Sequence, residues 1–195
     1  MGSRRLLGGM GLLLGVGVII VAAYFLGITA ANGARTWKAK QERVRQTETV
    51  LKQMGTGLRP GKTLPDAVLA DLEGYDIRLS DILCDRTVIV FFKPDCSFSR
   101  AELAAIKEAT VKPEDQACFV LISGADQPEL WAIKEELGLS CPLLFDRNTQ
   151  YGKVLGIKSV PLNFIVDRNL QIEEVVSGAM PSRDIAEIMK NSRRR

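Results

Sequence analysis

Apolar residues in this chain come in blocks whose spacing changes from segment to segment, and that spacing predicts the elements. Residues 88–92 (VIVFF) are an unbroken β-branched and aromatic run, too short for an ordinary helix. They read as a strand buried on both faces, as in a parallel sheet. Lys93-Pro94-Asp95 breaks the run, and a helical pattern follows from Ser97 to Thr110. Residues 118–123 (CFVLIS) predict a second buried strand and 142–146 (PLLFD) a short third one. Between them Leu130, Ile133 and Leu137 have helical spacing, with Pro128 near the start, where a missing N–H is tolerated. Upstream, 67–72 and 76–79 are two short strands around Glu73-Gly74-Tyr75, followed by a short turn or helix at 80–83. Downstream, 149–155 reads as a short helix, and 162–167 and 170–177 as a hairpin across Arg168-Asn169. Ile185, Ile188 and Met189 give a last helix its apolar stripe.

The N-terminal region follows other rules. Residues 6–31 carry no charge, and at about 1.5 Å per residue they outreach a hydrocarbon core of roughly 30 Å. They read as an uncleaved, single-pass membrane anchor. A cleavable signal peptide competes, with Arg4-Arg5 as its basic start and Ala31-Asn32-Gly33 as a small-residue cleavage site. Signal cores, however, run only about 7–15 residues. Gly11-x-x-x-Gly15 would let two such helices approach closely, a motif too common in glycine-rich apolar runs to fix an oligomeric state. Residues 36–54 place Trp37, Val44 and Leu51 at seven-residue steps, but Lys40, Thr47 and Met54 hold the complementary positions. This is an amphipathic spacer or a weak coiled-coil stalk rather than a stable zipper. Gly55-Thr56-Gly57 ends it, and Arg59-Pro60-Gly61 marks a loop. The expected organisation is a basic start at 1–5, an anchor at 6–31, a juxtamembrane helix and linker at 32–57, one domain at 58–191 and a basic tail at 192–195.

Composition narrows the chemistry. The 195 residues contain no histidine, which excludes His-based acid–base catalysis, a Cys–His dyad and His-ligated metals. The net charge of +3 sits largely beside the apolar stretch and in Arg193-Arg194-Arg195, so no nucleic-acid surface is implied. Arg4 and Arg5 argue for a cytoplasmic N-terminus, whereas Arg35, Lys38, Lys40, Arg43 and Arg45 on the other flank would hold the domain in the cytoplasm. The four cysteines (Cys84, Cys96, Cys118, Cys141) show no paired short spacing, so neither a zinc site nor any cofactor is expected. Cys118 reads as a small buried hydrophobe in a strand.

Cys96 is different. It stands where a strand gives way to a helix, beside unpaired N–H groups and the positive end of the dipole, and both favour thiolate. Lys93 and Arg100 would lower its pKa further and Asp95 would raise it, which leaves no net sign from the charges. One helical turn on, where a Cys-x-x-Cys motif carries its second thiol, stands Ser99. Its hydroxyl can donate to the Cys96 thiolate but cannot form a disulfide. The motif Cys96-Ser97-Phe98-Ser99 is therefore monothiol. Its chemistry stops at a mixed disulfide unless a thiol arrives from elsewhere, such as Cys84, Cys141 or a small molecule.

Strands alternating with helices and a closing hairpin and helix give an α/β order with a parallel core. Together with Pro65-Asp66, Asp71-Leu72-Glu73-Gly74, Leu79-Ser80-Asp81, VIVFFKPDC, Leu144 to Asn148 and Gly156 to Asp167, the chain resembles the thioredoxin superfamily. Within it the chain is most similar to membrane-anchored TlpA-like (redoxin, AhpC/TSA-type) thiol–disulfide oxidoreductases. The resemblance covers roughly 58 to the C-terminus. It implies a thioredoxin-like fold, a central mixed sheet flanked by helices, behind an N-terminal transmembrane helix. It implies a cis Val160–Pro161 bond facing Cys96, with the Val160 backbone pairing to an extended substrate segment and Phe98 and Pro94 beside it. It also implies a domain outside the cytoplasmic membrane, on the periplasmic side. Ser99 and Val90 depart from the pattern: Val90 holds the place of the acidic residue on the central strand of thioredoxins. The Pro-x-x-x-Thr/Ser-x-x-Cys pattern of peroxiredoxins is missing.

Two functions follow as expectations. The first is monothiol thiol–disulfide exchange by Cys96, with Ser99 stabilising the thiolate and a protein thiol or disulfide as substrate or redox partner. The second is a binding or assembly module that kept the fold and lost turnover, for which the missing second cysteine argues.

Overall fold

The computed structural model describes residues 33–35, 37–110 and 119–192. The proposed anchor at 6–31, Cys118 and the Arg193-Arg194-Arg195 tail lie outside the described residues. Among the described residues, no helix is long and apolar enough to cross a membrane.

The elements follow the apolar pattern closely. Strands β1 (Val68–Asp71) and β2 (Asp76–Arg78) precede a 3-10 turn (Leu79–Ile82), then β3 (Thr87–Phe91) and a long helix, Ser97–Ala109. Next come β4 (Phe119–Ser123), a helix at Gln127–Leu137, β5 (Leu143–Phe145) and a short helix at Gln150–Val154. The hairpin β6 (Leu162–Val166) and β7 (Ile172–Ser177) and a final helix, Ser182–Ser192, complete the chain. With the helical residues 44–54 as α1, these four later helices are α2 to α5 in order.

One seven-stranded sheet runs in the order β2-β1-β5-β4-β3-β6-β7. The β3–β4 and β4–β5 pairs are parallel, and the others are antiparallel. All five β3 residues are buried, as a central strand covered on both faces requires. Its alternating side chains feed two separate cores. Val88, Val90 and Phe92 join Leu103 and Ile106 of α2, Leu130 and Ile133 of α3, and Ile185 and Ile188 of α5. Ile89 and Phe91 join Tyr151, Leu155, Phe164 and Met54 on the opposite face. Burial of each such side chain contributes on the order of 1.5–3 kcal/mol, and the two layers share the one strand that leads to Cys96.

The linker reading of 32–57 needs revision. A division of the chain falls between Arg43 and Val44. On its N-terminal side, residues 37–42 are helical and exposed. On the other side, α1 packs into the domain through Thr47, half-buried Val50 and Leu51, and Met54. That is an i, i+3, i+4, i+7 stripe turned toward the domain rather than toward a coiled-coil partner. Val44, a seam position in the heptad reading, is 51% exposed.

Candidate active site

Parallel strands leave their C-terminal ends on one side of the sheet, and there the chain turns from β3 into α2. Phe92 N–H still pairs with the Ile122 carbonyl, after which Lys93-Pro94-Asp95 leaves the ladder. Cys96 is the N-cap of α2, with extended φ/ψ of −87° and 118°. Its carbonyl accepts the first helical bond from Arg100 N–H, and its sulfur is half-buried. The side chain thus sits among N–H groups that the helix leaves without partners.

Those groups set its acidity. The Cys96 pKa is held below the ordinary thiol value, first by the Ser99 backbone N–H, then by the Ser99 hydroxyl, with Phe98 N–H adding to them. Partial burial and the Asp95 carboxylate push the other way. Ser99 itself is fully buried, and its Oγ accepts from Lys93 N–H at 3.4 Å, which frees its proton for the sulfur. Arg100 is engaged with the loop and the neighbouring helix. Its guanidinium donates to the Pro94 carbonyl at 3.3 Å and pairs with Glu136 of α3, so it braces the loop and binds away from the thiolate. Replacing Ser99 with Ala should raise the Cys96 pKa, since the hydroxyl that favours the thiolate is lost. The alkylation rate against pH reads this directly, and an unmoved profile would remove Ser99 from the site.

Opposite the sulfur lies the loop before β6. Val160–Pro161 is cis, and the Cys96 thiol approaches the Val160 carbonyl at 3.9 Å. Gly178 N–H donates to the Pro161 carbonyl at 2.9 Å, tying the loop to the end of β7. Phe98 is 68% exposed rather than packed inward, and Pro94 is half-buried beside it in sequence. Cys96 and Val160 therefore meet where β3 ends and β6 begins, with Pro161 buried beside Val160 and Phe98 exposed in the first turn of α2.

Cys84 and Cys141 do not join them. Cys84 precedes β3 and Cys141 precedes β5, so both lie at the N-terminal ends of parallel strands, the length of the sheet away from Cys96. Five residues of strand alone span roughly 17 Å. Cys141 is buried, donates to Thr110 Oγ1 at 3.8 Å, and has its pKa raised by desolvation. Neither is placed to resolve a disulfide at Cys96 in this structure.

One residue in this region was not singled out from the sequence. Glu102, two turns into α2, is 1% exposed, and burial raises its pKa to about 7. Its Oε1 accepts from Met180 N–H at 2.9 Å, and the Asn163 side chain also bonds to the carboxyl. Among the described residues, Glu102 Oε2 and Asn163 Oδ1 have no hydrogen-bond partner. A proton on Oε2 would remove the charge that burial penalises. The domain does hold a buried acid, but it comes from the helix and not from the Val90 position of β3.

Tyr151 is buried with its hydroxyl donating to the Pro65 carbonyl, and the Tyr151 and Gly152 backbone N–H groups both donate to the buried Asp146 carboxylate. Trp131 lies at the surface, with Lys134 Nζ 5.0 Å from its ring. Among the described residues, no group of three His, Cys, Asp or Glu side chains could hold a metal ion.

A cysteine at the N-cap of the helix after the central strand, facing a cis-proline loop in a mixed-sheet domain, defines a thioredoxin-like thiol protein. The chain belongs to the AhpC/TSA family, whose model matches residues 60–175, and is a thiol–disulfide oxidoreductase of this redoxin type. It is 28% identical over 138 residues to the thiol-disulfide oxidoreductase ResA of Geobacillus thermodenitrificans, covering 70% of this chain and 79% of that one. Its fold is similar to that of a thiol:disulfide interchange protein of the thioredoxin family from Chlorobium tepidum (TM-score 0.56, 17% identity, 69% of this chain and 97% of that one). It is also similar to that of peroxidoxin BcpB from Mycobacterium tuberculosis (TM-score 0.58, 18% identity, 70% and 97%).

Proposed function

We propose that this protein is a membrane-tethered, monothiol thiol–disulfide exchanger acting through Cys96. The observation that carries the reading is the half-buried Cys96 sulfur, its pKa lowered by Ser99, 3.9 Å from the Val160 carbonyl. The Cys96 thiolate attacks one sulfur of a protein disulfide, the S–S bond breaks, and the leaving thiolate departs with the bonding electron pair. The substrate's extended segment lies along Val160 and Pro161, with exposed Phe98 and half-buried Pro94 as the apolar floor. Ser99 cannot complete a second exchange, and Cys84 and Cys141 stand at the far ends of the strands. The mixed disulfide therefore persists until an external thiolate attacks it, regenerating Cys96 and forming a new disulfide with the departing substrate sulfur.

The uncharged stretch 6–31 serves as the tether, with the domain on the extracytoplasmic side, where disulfides last long enough to be substrates. The long-lived adduct equally suits a binding or assembly module that holds a client without turnover. Incubating the protein with a disulfide-bonded model protein and mapping adducts by mass spectrometry separates the outcomes. An adduct on Cys96, absent from Cys96→Ser and discharged by added small thiol, is expected. Absence of any Cys96 adduct would overturn exchange, and an adduct that resists small thiols would favour the holding role.

A further inference from the structure

The loop that faces Cys96 is not held by the sheet alone. Residues 155–161 connect α4 to β6, and α1 grips them from two directions. Lys158 Nζ donates to the Gln53 carbonyl at 2.8 Å, in the last turn of α1, where a helix leaves carbonyls without partners and favours a cation. Thr56 Oγ1, just past the helix, donates to the Leu155 carbonyl at 3.3 Å. Between these bonds Gly156, at φ +70°, passes so close that an added Cβ would lie 2.5 Å from the Met54 carbonyl oxygen. On the other side, Thr47 Oγ1 accepts from Ser177 N–H at 3.1 Å. Ser177 pairs with Leu162, and the next residue, Gly178, holds the Pro161 carbonyl. Ile157 and Val160 pack against the same apolar cluster that takes in Met54, Leu58, Val50 and Leu51.

We propose that α1 is a positioning element of the substrate slot, with Thr47 and Lys158 fixing the distance from Val160 to Cys96 for substrates that must pair with the loop backbone. The inference rests on the exchange reading above and names a specificity device for that same site. A small disulfide needs only the Cys96 sulfur, whereas a protein segment needs the sulfur and the Val160 carbonyl in register. The grip thus discriminates by substrate size. It also runs through a segment that lies outside the thioredoxin-like domain as its pattern alone would draw it.

The test uses the full chain with Thr47→Val and Lys158→Met, singly and together, and Gly156→Ala as a steric wedge. Two rates are measured on each: reaction of Cys96 with a small aromatic disulfide, and reaction with a disulfide-bonded protein. The expected result is an unchanged small-disulfide rate and a protein-disulfide rate lowered about fivefold to tenfold. Equal losses in both rates, or no loss in either, overturn the positioning role. A wild-type Cys96 that fails with the small disulfide overturns the exchange reading instead, so the two failures are told apart. Should Gly156→Ala not fold, the two side-chain variants still decide the matter.

Discussion

Glu102→Gln should make the protein about 3 kcal/mol more stable at pH 8 while leaving its stability at pH 4 nearly unchanged. The carboxyl ionises near 4.5 in the unfolded chain and at about 7 in the folded one, chiefly because burial penalises its charge. Between those values the folded state holds the extra proton. Stability therefore falls as the pH rises through that window, and levels off above the folded pKa. At about 1.4 kcal/mol per pH unit, the gap is worth about 3 kcal/mol. Glutamine keeps the acceptor for Met180 N–H and carries no charge, so it takes the shape of the protonated acid without its titration. Denaturant unfolding of both proteins at several pH values checks this. Parallel pH dependences for the two would show that Glu102 is not the group that titrates.

Ser99→Cys should shorten the life of a Cys96 mixed disulfide about a hundredfold. A thiol at this position is one helical turn from Cys96, and the present hydroxyl already lowers the pKa of its sulfur. An attack from there is intramolecular and replaces a bimolecular step with an external thiol. The substituted sulfur would displace the substrate and close a Cys96 disulfide within the first turn of α2. Quenching at intervals after adding a disulfide-bonded protein, then weighing the adduct, measures its lifetime. An adduct as lasting as that of the unaltered protein would mean that residue 99 is not aligned for attack, and that its being serine has no bearing on turnover.

The strand and helix order was legible because β3 and β4 are buried on both faces and β6 and β7 close through a short turn, so local pattern and tertiary role agree. Cys96 could be found for a related reason, since the break after Phe92 and the helical spacing after Ser97 fix where the first turn begins. Glu102 was hidden by its type. Charged residues are presumed to lie at the surface, yet Ser99, Glu102, Leu103 and Ile106 form one i, i+3, i+4, i+7 stripe, and that stripe was the available signal. In α1 the seven-residue spacing of Trp37, Val44 and Leu51 drew the eye from the stripe that is buried, because that stripe opens on the polar Thr47. The partner of Arg100 was not legible for a third reason. Proximity in sequence does not say where a long side chain turns, and Glu136 of α3 is invisible until the helices pack.

The Thr47 contact bears on how the outer edge of the sheet is covered. β7 is the outermost strand on its side of the sheet, and Ser177 N–H, directed away from β6, is taken by the threonine hydroxyl. Without α1, that strand would offer a bare donor next to newly uncovered apolar side chains, the template on which a second chain adds in edge-to-edge aggregation. A protein shortened to Leu58, as the domain pattern invites, would lose its guard against self-association along with its first helix.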